Sequence, residues 1–321
     1  MDPVTQGALG AACSQAILHP YDKKNAWIIG AVSGMAADLD LLIRSSNDPM
    51  LFLIYHRHFT HSLLFIPIGA LVVGLFFLMF QRFRARWRIT LLASLIGYAT
   101  HALLDTCTSY GTLLFWPFSN SRYAWDFISI IDPFFTLPLV LGVVWTRVLD
   151  DRKGVCYGLI LALLFLLINI EQHHRALTAF ESFGKAKYLN LKKVRVFPTL
   201  ASSTHWRGAG FIGNKIVLVE VKTPIFSESF VQSAKLYPAF SLSELSKAAY
   251  NSGQQARDFK IFYWFTDGYL IKASDNPLVV VDARYIYGVP VRALWGIRLN
   301  PGAAHVDSVR DIHLMNGVNL P

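Results

Sequence analysis

The stretch His56-Arg57-His58-Phe59-Thr60-His61-Ser62 places three imidazoles within six residues and runs directly into the apolar run 63–80. Neutral imidazole is the commonest protein ligand for divalent transition metals, and His58 and His61, three apart, share a face if this turn is helical. Histidines at a membrane boundary also serve as plain interfacial polar groups, because interfaces favour amphipathic rings. The rest of the chain has to decide between these readings.

Outward from that stretch, the chain is made of two materials. Its 321 residues are 53% hydrophobic and 16% charged, on the apolar side of globular composition and long enough for two domains. The apolar residues concentrate before residue 171. Residues 1–171 hold 12 Lys/Arg against 11 Asp/Glu, and residues 172–321 hold 18 against 10, so the second part carries +8 of the formal +9. The expected division is a transmembrane metal-site domain, 1–171, and a soluble extracytoplasmic domain, 172–321. Three cysteines, Cys13, Cys107 and Cys156, give an odd number without metal-ligand spacing and imply no disulfide framework. Residues 1–18 lack a basic n-region and a long uninterrupted h-region, so they are not read as a cleaved signal.

Apolar runs at 26–43, 63–81, 89–107, 127–149 and 155–170, with a weaker one at 4–18, predict a polytopic α-helical membrane domain of five or six spans, each near the length a hydrocarbon core of about 30 Å requires. Lys/Arg in short loops set orientation. With loops 19–25, 82–88 and 147–153 in the cytoplasm, nine basic residues lie inside and three, Arg44, Arg57 and Arg122, lie opposite. That choice collects Asp38, Asp40, His56, His58, His61, His101, Asp105, Asp126 and Asp132 on the outer side. Carboxylates gathered on one face repel one another unless cations or shared protons neutralise them, and a bound metal would relieve that repulsion.

His101-Ala-Leu-Leu-Asp105 places imidazole and carboxylate one helical turn apart on one face, where the pair can close on a cation or simply form a buried hydrogen bond. Asp38 and Asp40, two apart, point in roughly opposite directions on a regular helix, so joint ligation needs an unwound helix end. Nitrogen and oxygen donors without thiolate favour zinc, manganese or iron. Asp132, before Pro133, is open to three roles: helix cap, ligand or general base.

These motifs carry a resemblance. Met1-Asp-Pro-Val-Thr-Gln-Gly-Ala-Leu-Gly10, the Asp38/Asp40 pair, the His56–Ser62 stretch, His101-Ala-Leu-Leu-Asp105, Thr108-Ser-Tyr-Gly-Thr112 and Ile131-Asp-Pro133 recur in order in the YdjM-like family of inner-membrane, metal-dependent hydrolases, which the chain resembles through most of residues 1–140. The HxxxD element is also similar, more loosely, to that of zinc phospholipases C. The resemblance implies Asp38, Asp40, His56, His61, His101 and Asp105 as metal ligands. Two positions depart from it: Gln6 stands where the family often has His, and His58 where it usually has Gly.

Beyond residue 170 short β-rich runs at 215–221, 259–265, 269–273, 278–283 and 293–299 predict a soluble α+β or mostly β domain. Asp267-Gly268 between two of them reads as a tight hairpin, and Ser241-Leu-Ser-Glu244 as a capping box opening a short helix. Lys185, Lys187, Lys192, Lys193 and Arg195 form either a lipid-facing patch or a solvated basic face.

The expected function is a membrane-bound hydrolase of the bacterial inner membrane. One or two divalent ions, zinc first, would activate water at the periplasmic face to cleave a phosphoester of a lipid or lipid-linked substrate. Arg57 and Arg122 would bind the phosphate, and Asp126 or Asp132 would transfer a proton. No nucleic-acid partner is expected. The rivals are a metal- or proton-coupled transporter or sensor, against which residues 1–170 show no self-similar halves, and a scaffold whose metal is structural.

Overall fold

The computed structural model describes residues 1–245, 253–288, 291–300, 302–314 and 317–320. Its helices are α1 (Pro3–Leu18), α2 (Ala26–Ala36), α3 (Leu51–Tyr55), α4 (Ile66–Leu78), α5 (Gln81–Arg84), α6 (Trp87–Thr106), α7 (Pro133–Leu149), α8 (Lys153–Ala186), α9 (Leu242–Leu245) and α10 (Gly253–Phe265). The strands are β1 (Lys192–Pro198), β2 (His205–Ile212), β3 (Lys215–Lys222), β4 (Phe230–Pro238), β5 (Leu270–Asp275), β6 (Leu278–Asp282), β7 (Ile286–Tyr287), β8 (Arg292–Leu299), β9 (Asp307–His313) and β10 (Val318–Asn319). Two compact units result: Met1–Leu42, Tyr55–Gln172 and Pro198–Ser203 form one, and Ile43–Ile54, His173–Phe197 and Thr204–Pro321 the other.

Among the described residues two helices, α6 in the first unit and α8, which runs on from the first unit into the second, are long and apolar enough to cross a membrane. A third span exists if Leu51–His61 and Leu63–Leu78, bent by 60° at their junction, count as one. The expectation of five or six spans is corrected to this number. The reason is that apolar residues here serve helix packing as well as lipid. Helix α1 has 16 residues and buries its polar Thr5, Gln6, Ser14 and Gln15 against protein. Helix α2 stops after 11 residues, where 37–42 tightens into a 3-10 turn, and α7 is 17 residues long with Pro138 inside it. Backbones of α1 and α2 touch through glycine: a Cβ on Gly10 would lie 2.3 Å from the Gly30 carbonyl oxygen. Only a residue without a side chain permits that approach. By contrast, Leu71, Leu75 and Phe76 on α4, Leu137 and Leu141 on α7 and Ile160, Leu164 and Ile168 on α8 are exposed, as lipid-facing residues must be.

In the second unit one sheet has the order β1-β2-β3-β4-β10 and the other β5-β6-β8-β7, with β9 pairing β8. All the described pairings are antiparallel, as closely spaced short strands permit. Phe180, on the C-terminal part of α8, is fully buried with Trp206, Val217 and Val219 of the first sheet. Four of the five expected strands are present as β3, β5, β6 and β8. Residues 259–265 are not a strand but the end of α10, whose buried Gln255, Asp258, Phe259, Phe262 and Phe265 recur every three or four residues. Their aromatic content suggested a strand, and their spacing makes a helix. Asp267 and Gly268, at φ 54° and 76°, accordingly end that helix rather than turning a hairpin: the Gly268 amide donates to the Tyr263 carbonyl at 2.9 Å, the six-to-one bond of a Schellman cap. The short helix expected after Ser241 opens there as α9, and its continuation past Leu245 lies outside the described residues.

Candidate metal centre

The 3-10 turn at 37–42 is the unwound helix end that joint use of Asp38 and Asp40 requires. Beside it the stretch 56–62 also leaves regular helix: Arg57 has φ 63° and residues 59–61 form a single 3-10 turn. On α6, His101 and Asp105 are both fully buried. These three elements bring all six expected ligands into two overlapping groups, Asp38/His61/His101/Asp105 and Asp38/Asp40/His56, each with one donor atom per residue within 4.8 Å of the others.

In the first group, His61 Nε2 and His101 Nε2 lie 2.9 Å apart. Asp38 Oδ1 is 3.5 Å from the first and 3.4 Å from the second, and Asp105 Oδ2 is 3.2 and 3.6 Å from them. Tautomers follow from what the other ring nitrogens touch. His101 Nδ1 is 2.5 Å from the Gly34 carbonyl oxygen, which only accepts, so Nδ1 carries the proton. His61 Nδ1 is 3.2 Å from Asp40 Oδ2 and 2.9 Å from Thr60 Oγ1, while that hydroxyl donates to Asp40 Oδ2 at 2.9 Å. Nδ1 is therefore again the donor. With Nδ1 the donor in both rings, Nε2 is the atom that each imidazole has left for a cation, and the two Nε2 atoms face each other between the Asp38 and Asp105 carboxylates. Four ligands arranged tetrahedrally around zinc at 2.0–2.2 Å stand about 3.3–3.5 Å apart, and the five separations above bracket that figure. The donor set fits a divalent ion.

The surroundings hold these ligands in place. Asp105 accepts hydrogen bonds from Gln6 Nε2 at 2.9 Å and from the Met1 amino group, and its Oδ2 forms an ion pair with Arg57, whose Nε lies 2.9 Å away. Asp40 receives the Arg57 amide at 2.9 Å and lies 3.0 Å from His56 Nδ1. Arg57 Nη1 donates to Thr108 Oγ1 at 2.8 Å and to the Asp105 carbonyl at 3.2 Å. The guanidinium carbon of Arg57 is 4.7 Å, and that of Arg122 5.3 Å, from the centre of the Tyr110 ring, within cation–π range. Arg122 Nη2 donates to the Gly111 carbonyl at 2.7 Å. Gly111 has φ +89°, a backbone conformation that favours glycine, and a Cβ there would press on the Arg122 side chain at 3.1 Å.

The model of the YdjM inner membrane protein family matches residues 1–176, which hold every one of these ligands. The chain belongs to the YdjM inner membrane protein family. No curated protein and no solved structure matches it.

Within this YdjM chain Gln6, where the resemblance leads one to expect His, does not leave a gap. Its amide nitrogen holds Asp105, while its buried Oε1 has no hydrogen-bond partner. His58 joins neither donor group; its ring packs 5.3 Å from Trp116 and 5.7 Å from Tyr55. The supporting Thr60, Thr108 and Tyr110 had no role in the sequence reading. The only signal for them was their place inside or beside the recurring motifs. Asp126, buried at φ 62°, and Asp132 also stand outside both groups. Asp132 caps α7, accepting the Phe134 amide at 3.1 Å. Asp132→Ala is expected to cost about 1 kcal/mol in unfolding in detergent, and Asp132→Asn, an equally good cap, under about 0.5 kcal/mol. Both should keep full metal content, and metal loss in Asp132→Asn would make it a ligand instead.

Proposed function

We propose that this chain is a membrane-bound, metal-dependent hydrolase that cleaves a phosphoester of a lipid or lipid-linked substrate at the periplasmic face of the inner membrane. One observation carries the metal: two Nε2 atoms face each other at 2.9 Å between two carboxylates. Asp38 belongs to both donor groups, so these residues would hold one ion or two: Asp38, His61, His101 and Asp105 would supply four donors, and Asp38, Asp40 and His56 three. Zinc suits these donors, with manganese or iron as alternatives.

When bound, such ions supply Lewis acidity toward an ester oxygen and water that loses a proton near neutral pH. The chain's own residues do the rest. The Gly34 carbonyl, Asp40 and Thr60 keep His101 and His61 in the ligating tautomer, and Arg57 and Gln6 aim Asp105. Arg57, 3% exposed and committed to Asp105, is a positioning residue; Arg122, half-buried, is the better placed of the two for a phosphate. Asp126 or Asp132 would accept the proton. Lipid is favoured by the inner-membrane family and by the apolar outer faces of α4, α7 and α8. Four protein donors in one group also favour a second reading, a purely structural ion.

The test is a panel of phospholipids, phosphoesters, carboxylic esters and peptides offered to chelated protein and to protein reloaded with zinc, manganese or iron. Phosphoester cleavage restored by metal supports the hydrolase. A metal-replete protein that cleaves nothing supports the structural reading.

A further inference from the structure

The connection between β3 and β4, Thr223-Pro-Ile-Phe-Ser-Glu-Ser229, carries the most exposed aromatic side chain described: Phe226 is 99% exposed and its neighbour Ile225 63%. A soluble surface gains nothing from such a pair. The loop is fixed to α8, because Arg175 Nη2 donates to the Ser227 carbonyl. Its flank and α8 enclose a groove of about 730 Å³ lined by His174, Arg175, Thr178, Ser227 and Ser229 beside the apolar pair.

Helix geometry says at what depth this lies. Helix α8 begins at Lys153, next to Arg152, and its exposed side chains from Tyr157 to Ile168 are apolar. At 1.5 Å per residue, a hydrocarbon core of about 30 Å takes some twenty residues, and after Ile168 the exposed apolar side chains give way to exposed Glu171, so the span that starts at Lys153 ends near residue 170. Arg175 stands about one helical turn beyond that end, at head-group depth, and the loop bonded to it starts from there. Lys185, ten residues farther along the same helix, lies about 15 Å beyond Arg175. Aromatic and aliphatic side chains at that depth, next to a basic and hydroxyl-bearing groove, suit phospholipid.

We propose that the loop 223–229 is a membrane-interface anchor: Ile225 and Phe226 enter the bilayer that α8 crosses, and the groove beside Arg175 receives a phospholipid head group. The anchor does not depend on the metal centre. The test uses the full chain in nanodiscs of mixed phosphatidylcholine and phosphatidylglycerol, with the photo-crosslinking residue p-benzoylphenylalanine in place of Phe226. A control carries it in place of Asn214, an exposed turn residue at the far end of β3. Expected is a phospholipid-mass adduct at position 226 and none at 214. Lipid adducts absent at 226, equal at both positions, or replaced by a crosslink to a second copy of the chain would overturn the proposal.

Discussion

Replacing His101 by alanine is expected to strip the purified protein of its divalent ion. Changes to groups that merely orient ligands weaken metal binding by about 10–100-fold, so losing a ligand outright should cost more than about 100-fold in affinity. The change also leaves Asp38 and Asp105 beside one another with less positive charge to compensate. Metal content measured after dialysis against a chelator reads the effect directly. His61→Ala should match it, because the two imidazoles contribute equivalent Nε2 atoms to one group. Retention of full metal content by both variants would remove the basis of the site.

Arg57→Ala is expected to destabilise the metal-free protein by about 3–5 kcal/mol, the range for breaking a buried ion pair while one charge stays behind. Arg57 and Asp105 have side chains 4% and 0% exposed, so water cannot replace the lost guanidinium. Arg57→Gly should lose about 1 kcal/mol less, because glycine relieves the left-handed backbone at φ 63°. The backbone bond from residue 57 to Asp40 survives in both variants. Saturating zinc should narrow the gap to wild type, since an ion on Asp105 supplies the missing positive charge. Unfolding in detergent with and without zinc gives all four comparisons. A change under about 0.5 kcal/mol for Arg57→Ala would mean that the pair does not hold the site.

How much of this was legible in the sequence depends on the range of the interaction. His101 and Asp105 were readable as a pair because helix periodicity alone puts them on one face. The unwound turn at Asp38 and Asp40 was readable because two carboxylates two residues apart cannot converge on a regular helix. Span number was not readable in the same way, since an apolar helix has the same composition whether its face meets lipid or another helix. Gly10 and Gly30 show the difference only when their backbones are seen in contact. The pairing of Arg57 with Asp105, 48 residues apart, is invisible to any local pattern. So is the Gly34 carbonyl that fixes the His101 tautomer, because a backbone atom leaves no mark on sequence. In residues 259–265 aromatic β-propensity and a three-to-four spacing point to different elements, and burial along one helical face decides for the helix.

The segment Ile43–Ile54 lies between the ligand Asp40 and the ligand His56, yet it belongs to the second unit. Met50 is 1% exposed within that unit, and Asp48 pairs with Arg257 Nη2 at 2.8 Å, 209 positions later in the chain. The hydrogen bond from Arg257 holds the Asp48 carboxyl below its ordinary range, so the pair is ionised at neutral pH. During synthesis, chain emerges at about 5–20 residues per second, so Asp40 and His56 exist for roughly ten seconds or more before Arg257 does. Until then the strap between these two residues lacks its ion pair with Arg257, a contact made by chain that supplies neither of the two donors.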